Sequence, residues 1–437
     1  MPVASKYHFP EKVHLSGPDC FHLVLDLHAK KYGAGGNVMR KVFRFRHQLD
    51  EEKVKHILIH SPAIHWLCNI ELNKGNLVTI PYWKYRNAGR RINIYVHDVQ
   101  NQNEIPQHVL RRDIPVESAM YVEADILRYP NGESAFILSW NHILLDAKGS
   151  TLLFEHLNRV AEGIEDSLDL FFPQKQKRAS IIGYIRNMYK VKAFIQHSSR
   201  KPISSVSGKT CRTDQDKSEN LIINFSAEET HAIHKAGFDA GSRFGPTHYF
   251  LSCCAQIIHR LNKQRNRSGP LWIPVPYDGR LKGGIGPLFS NCVSFIFYRL
   301  EENHLNSVKD TVKELSMQMM DQIRTGMPKK YDRLLSMMRH IPLWLYYFLI
   351  SRTGEGSFAS FLYTSTGDNF NRMSHLFGEP VTGISMIPAL TFPPGFTFVF
   401  MKHDDELSLN ISYSPDVITE AELNFVVRGI KDLLIFS

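Results

Sequence analysis

Phe136-Ile-Leu-Ser-Trp-Asn-His142-Ile-Leu-Leu-Asp146-Ala-Lys-Gly149-Ser150 is the stretch that organises this chain. It opens as an apolar run suited to a buried strand. A histidine follows, then three apolar residues and an aspartate. After Gly149, Ser150 and Thr151 the period becomes helical, with Leu153, Leu157 and Val160 on one face. A strand therefore delivers His142 at its carboxyl end, beside a turn that Asp146 is placed to brace. An imidazole there can take a proton near neutral pH, its unperturbed pKa being about 6.5. Asp146 is placed to hold local backbone or a distant cation and so to aim the histidine.

The rest of the composition narrows the class. At 437 residues the chain is too long for one small core, and two lobes are expected. Its 43% apolar and 22% charged residues are those of a globular protein. No apolar run nears the ~18–20 residues of a membrane span. The first residues, Met1-Pro-Val-Ala-Ser-Lys-Tyr-His, lack the apolar centre of a signal peptide, so a cytoplasmic location is expected. The six cysteines include Cys211 and the adjacent Cys253 and Cys254, but form no Cys-x-x-Cys pair. Zinc and dithiol redox chemistry have no motif, and no metal is expected. The net charge of +9 favours anionic partners. No nucleic-acid-binding pattern accompanies it, so nucleic acid is not expected as a partner.

Outward from the motif, Leu15-Ser-Gly-Pro-Asp19-Cys-Phe21 reads as a turn leading into structure. Val38 to Arg46 reads as a strand of apolar residues among charges. Asp50 caps a helix whose Val54, Ile57 and Leu58 share a face. Ser61-Pro-Ala-Ile-His65 follows. Arg91–Val96 and Met120–Leu127 are strand candidates. Gln174 to Lys201 carries eight basic and no acidic residues, interleaved with Ile and Tyr. It reads either as a crossing helix with a solvated basic face or as a docking face for an anionic membrane surface or an acidic carrier protein. A strand at Leu221–Phe225 and capping boxes at Ser226–Glu229 and Thr419–Glu422 mark the second half. Pro246 opens another helix, and Ser307–Thr325 is a further one. Ile341–Ile350 is very apolar but too short to span. It reads as tunnel lining, core or an interfacial patch.

The His-x-x-x-Asp of His142 and Asp146 resembles the active-site motif of the CoA-dependent acyltransferase superfamily. That superfamily includes chloramphenicol acetyltransferase, BAHD acyltransferases, nonribosomal peptide condensation domains and wax ester synthases. In the last two the motif is usually His-His-x-x-x-Asp-Gly; here Asn141 and Ala147 depart from it. Tyr277-Asp278-Gly279-Arg280 resembles the Asp-x-Arg segment of BAHD enzymes, whose arginine pairs with the motif aspartate. Gly283 to Phe295, with Asn291, resembles the Gly-x-x-x-Asn segment that follows. Leu15–Phe21 is similar to the opening of wax ester synthases. Ser61–His65 is similar to a condensation-domain segment in which an arginine stands where this chain has His65. Phe361–Gly367 resembles a wax-synthase strand end without its asparagine. The BAHD Asp-Phe-Gly-Trp-Gly motif is absent.

The resemblance implies an α/β (α+β) fold of two acetyltransferase-like lobes, each a mixed sheet with covering helices. The boundaries expected are 1–175 and 218–437, joined by a basic crossover and linker at 176–217. An interlobe tunnel would carry an acyl thioester of CoA or of an acyl carrier protein as co-substrate, with no bound cofactor. A hydroxyl or amine acceptor would meet it at His142, the general base. Asp146 would be structural and paired with Arg280. Backbone near Gly149, Asn291, Thr364 and Ser365 are the candidates for oxyanion donor. A monomer is expected, because two lobes complete an interlobe site. Peripheral membrane contact is carried only by the basic segment and the 341–350 run. The rival readings are a degenerate relative acting as a binding or carrier-protein recruitment module, and an unrelated two-lobed protein with a chance motif.

Overall fold

The computed structural model describes residues 7–33, 36–76, 79–118, 120–173, 189, 191, 202–208, 218–280, 286–351, 358–366 and 373–436. Most of the basic 174–201 stretch, Cys211, Gly283, Gly284 and Gly367 lie outside the described residues. The chain runs β1 (Lys12–His14), α1 (Gly17–Lys31), β2 (Val38–Phe45), α2 (Glu51–His60), α3 (Pro62–Cys68), β3 (Ile70–Asn73), β4 (Tyr82–Tyr85) and β5 (Asn93–Asp98). It continues through α4 (Gln107–Leu110), β6 (Val122–Arg128), β7 (Ser134–Asn141) and α5 (Ala147–Ala161). The second half holds β8 (Glu219–Phe225), α6 (Ala227–Asp239), α7 (Thr247–Gln264), β9 (Leu271–Asp278), β10 (Val293–Leu300), α8 (Val308–Arg324), α9 (Met327–Met338) and α10 (Leu343–Ser351). It closes with β11 (Leu362–Ser365), β12 (His375–Leu376), β13 (Glu379–Pro380), β14 (Gly383–Ile387), β15 (Phe396–His403), β16 (Glu406–Tyr413) and α11 (Glu420–Phe436).

The first large sheet has the order β14-β2-β7-β6-β5, parallel only between β5 and β6. Every residue of β7 is buried, because helices cover one face and α4 with its neighbours the other. A strand buried on both faces needs an unbroken apolar run, and Ala135 to Trp140 supply one, Ser139 apart. The strand β14 comes from late in the chain and closes the edge of this sheet. Residues such as Phe377, Ile384 and Met386 therefore join the core around β7. A second core fills the space between the sheet β11-β15-β16-β8 and helices α6, α7 and α11. Both sheets mix parallel and antiparallel pairs and carry helices, the two-lobed α/β architecture.

Two details differ from the sequence reading. Residues 15–21 are not a turn: Gly17 and Pro18 begin α1, where Ser16 and Asp19 form a capping box. A proline in the first helical turn lacks only a donor that would be orphaned anyway. In β2 the charges do not alternate into solvent. Arg40 is buried and gives its Nε to the Val109 carbonyl at 3.0 Å. Lys41 is also buried. Its Nζ lies over the Phe43 and Phe154 rings and 3.3 Å from Thr151 Oγ1, and burial lowers its pKa to about 7. The apolar 341–350 run forms α10, which buries Tyr346 beside the first core but leaves Trp344 69% exposed.

Candidate functional site

The site forms where β7 gives way to α5. The last residue of β7, Asn141, is fully buried and donates Nδ2 to the Ile114 carbonyl at 3.0 Å. Its Oδ1 accepts from Ile143 N at 3.1 Å. Trp140 Nε1 donates to the Leu145 carbonyl at 3.1 Å. The loop of residues 142–146 is thus tied from beneath, and Asn141 is a structural member of it. Asp146 caps α5 through Gly149 N at 2.8 Å, as a carboxylate at an N-cap does.

The second lobe closes on this loop. Arg280, past the end of β9, reaches Asp146 as a two-pronged fork, Nη1 to Oδ2 at 2.9 Å and Nη2 to Oδ1 at 3.0 Å. Both side chains are 4% exposed. Burial alone would lower the arginine's pKa, but the Asp146 charge more than offsets it and the pKa rises. Asn291 Nδ2 donates to the carbonyls of His142 and Ile143 at 2.9 and 3.1 Å. Two consecutive amides of this segment are held by two carboxylates of the first lobe. Asn291 N donates to Asp19 Oδ1 at 2.7 Å, and Cys292 N to Asp146 Oδ2 at 2.8 Å. A Cβ on Gly149 would meet the Leu288 carbonyl at 2.7 Å, so only glycine admits this approach.

His142 is the poorly bonded member of the loop. Its amide donates to the Asn37 carbonyl at 2.7 Å, but its ring makes no hydrogen bond, and Nδ1 is buried without a partner. Burial lowers its pKa, against the opposing pull of its own carbonyl and the Asp146 charge. The ring stacks on His22 of α1, centroids 3.9 Å apart and planes 24° apart. Asp19, His22 and Asp26 lie at i, i+3 and i+7 on one buried face of α1. Asp26 Oδ1 accepts from Asn37 N at 3.0 Å, and Asn37 carries on to both histidines. The sequence reading placed Asp19 only in a turn and did not assign it, His22, Asp26 or Asn37 to the site. Three polar residues at helical spacing on an otherwise apolar face were the signal for them.

The proposed oxyanion donors separate. The Gly149 amide and the Asn291 amide group are engaged by the bonds above. Thr364 and Ser365 lie half-buried on β11, beside Val399 and Phe400 of β15. His65, in place of an arginine, donates to or accepts from the Tyr85 hydroxyl at 3.0 Å and does not bond Asp146. A groove of about 890 Å³ on the first lobe, lined among others by Lys55, His65, Arg90 and Arg91, does not include His142. Among the described residues no cluster could hold a metal, and no helix is long and apolar enough to cross a membrane.

Solved structures match this architecture over 97% or more of the chain. The first condensation domain of the calcium-dependent antibiotic synthetase, in complex with a substrate analogue, aligns with TM-score 0.66 over 97% of both chains at 13% identity. The chain has the condensation-domain fold. The trichothecene 15-O-acetyltransferase from Fusarium sporotrichioides shares it, with TM-score 0.68, 14% identity and 97% and 94% of the two chains covered. So does the cyclization-docking bidomain of the EpoB nonribosomal peptide synthetase from Sorangium cellulosum, with TM-score 0.63, 12% identity and 99% and 87% covered. No family model matches the sequence and no curated protein matches it. The two-lobed expectation from the His142–Asp146 motif agrees with this condensation-domain fold.

Proposed function

We propose that the chain is an acyltransferase, moving an acyl group from a thioester of CoA or of a carrier protein to a hydroxyl or amine acceptor. The carrying observation is the contrast within the motif loop. The loop around His142 is held by Asp146, Arg280 and Asn291, whereas the imidazole of His142 makes no hydrogen bond and its Nδ1 is buried without a partner. With Nδ1 buried, Nε2 is the nitrogen that meets a substrate. A lowered pKa keeps that nitrogen unprotonated near neutrality.

In the reaction, the acceptor O–H or N–H gives its proton to His142 Nε2 as its lone pair attacks the thioester carbonyl. The tetrahedral intermediate collapses by breaking the carbon–sulfur bond, and the leaving thiolate takes the proton back from the imidazolium. Asp146 and Arg280 do not touch the reacting atoms. Their role is to hold the loop and to join the lobes across the site. Because one chain supplies Asp146 and Arg280 alike, the site is complete in a single copy, which supports a monomer.

The test is thiol release from acyl-CoAs of rising length and from acyl carrier proteins, with mixed alcohols and amines, for wild type and His142→Ala. Acceptor-dependent release by wild type alone is expected, with an effect of ~10²–10⁴ from loss of the base. Equal release by both proteins would remove His142 from the mechanism. No release from either donor class would leave the binding-module reading in its place.

A further inference from the structure

The bonds above leave the intermediate's oxyanion without an assigned donor. We propose that His22 Nε2–H is that donor, an inference that rests on the acyl-transfer reading.

The tautomer of His22 follows from Asn37. Asn37 Nδ2 lies 3.3 Å from the His22 carbonyl oxygen and 3.3 Å from His22 Nδ1. A carbonyl only accepts, so the atom facing it is the amide nitrogen. That nitrogen donates, so His22 Nδ1 is the acceptor. A neutral imidazole with Nδ1 unprotonated carries its proton on Nε2. Protonating Nδ1 would set two donors against each other. Burial first, and the neighbouring His142 second, also disfavour a cationic His22.

Placement follows from the stack. His22 is 8% exposed, its hydrogen bonds run through Nδ1 and its carbonyl and not through Nε2, and its ring lies against that of the general base. The two rings therefore offer one open lone pair and one open N–H in the same part of the site. An acyl-transfer centre needs that pairing: a base for the acceptor proton and, ~2.7–3.1 Å from the oxyanion, a donor. The donor hydrogen-bonds the oxygen as negative charge develops and keeps its proton throughout. A neutral imidazole does this without adding a cation beside His142 that would hinder the base from accepting a proton. Groups facing His22 are His142 from the motif loop and Asn37 ahead of β2; Asp19 and Asp26 are the acids on its own helix face.

Two substitutions separate donation from packing. His22→Phe keeps an aromatic ring against His142 and removes the N–H. His22→Gln removes the ring and keeps an N–H donor. Loss of an oxyanion donor should lower kcat by about 10²–10³ in His22→Phe with KM little changed, and His22→Gln should recover part of it. Wild-type kcat in His22→Phe, or His22→Phe more active than His22→Gln, would show that the ring only packs and would overturn the proposal. Long-range ¹H–¹⁵N spectra of wild type, with His22 assigned by difference from His22→Gln, should show a neutral Nε2–H ring at pH 7. An Nδ1–H or doubly protonated ring overturns the proposal even if His22→Phe fails to fold. Absence of acyl transfer in wild type overturns the underlying reading instead, and the oxyanion role with it.

Discussion

His142 and His156 belong to the same strand–turn–helix unit, one ahead of α5 and one within it, and each has an aspartate near in sequence. Their surroundings are opposite. His156 is 1% exposed, its Nδ1 is bonded to Asp166 and its Nε2 lies 2.9 Å from Ser61 Oγ. Arg159 holds the far oxygen of Asp166 at 2.6 Å. On paper this is a serine–histidine–aspartate relay. Yet Ser61 is fully buried and its oxygen also accepts from Ile64 N as the cap of α3. Every valence is satisfied and no substrate has access, so the relay fastens α3 to α5. His142 has no ring hydrogen bond and its aspartate is turned away onto Arg280. On the proposed reading, catalytic capacity tracks what a histidine has left unbonded, and not the presence of a carboxylate beside it.

The comparison breaks most directly through paired alanine variants. His142→Ala should lose transfer by ~10²–10⁴ with an unfolding midpoint close to wild type. His156→Ala should keep its pH profile and lose about 1–3 kcal/mol of stability, because Ser61 and Asp166 are left in the interior with a partner missing. Denaturant unfolding beside initial rates decides it. A stability loss in the first variant and an activity loss in the second would reverse the assignment.

Arg280→Ala probes the other half of the contrast, the aspartate that serves the loop. It leaves Asp146 buried and unpaired, for which ~3–5 kcal/mol of destabilisation is expected. Arg280→Lys should recover part of that, since a point charge cannot make both prongs. Full stability in Arg280→Ala would show that Asp146 is held well enough by Gly149 and Cys292. Gly149→Ala should have a smaller effect, about 1–3 kcal/mol, from forcing a methyl against the Leu288 carbonyl. Its unfolding midpoint should fall and its activity with it, because the same contact seats the second lobe.

The smallest effect is in pH. The His142 pKa is lowered from 6.5, so its basic form persists to lower pH than for a free histidine. Activity should be fully present above ~6.5 and lost as pH falls through the lowered value. An acid limb of kcat/KM above 6.5 would mean that a different group, or a cationic pair with His22, controls the step.

Local chemistry made part of this legible in advance. The caps at Asp50, Ser226 and Thr419 were readable because a cap is a contact between residues three apart. The strand and helix around His142 were readable from their periods. Arg280 was named as the partner of Asp146 through a family resemblance, and the structure puts the two 2.9 Å apart; no local rule would have joined them. The opening of α1 was misread because Gly17-Pro18 is a turn signal as well as a helix start, and that error concealed the face bearing Asp19, His22 and Asp26.

By itself the sequence determined the strand–turn–helix unit, the position of His142 at its turn, and the absence of metal-binding cysteine pairs. These depend on side-chain period and on short-range hydrogen bonds, which a linear string records. Only the tertiary structure decided that β14 closes the first sheet, that Lys41 lies in its core, and that His22 stacks on His142. Each of these is a burial or a contact between distant segments, and its free energy exists only once the two surfaces have excluded water together.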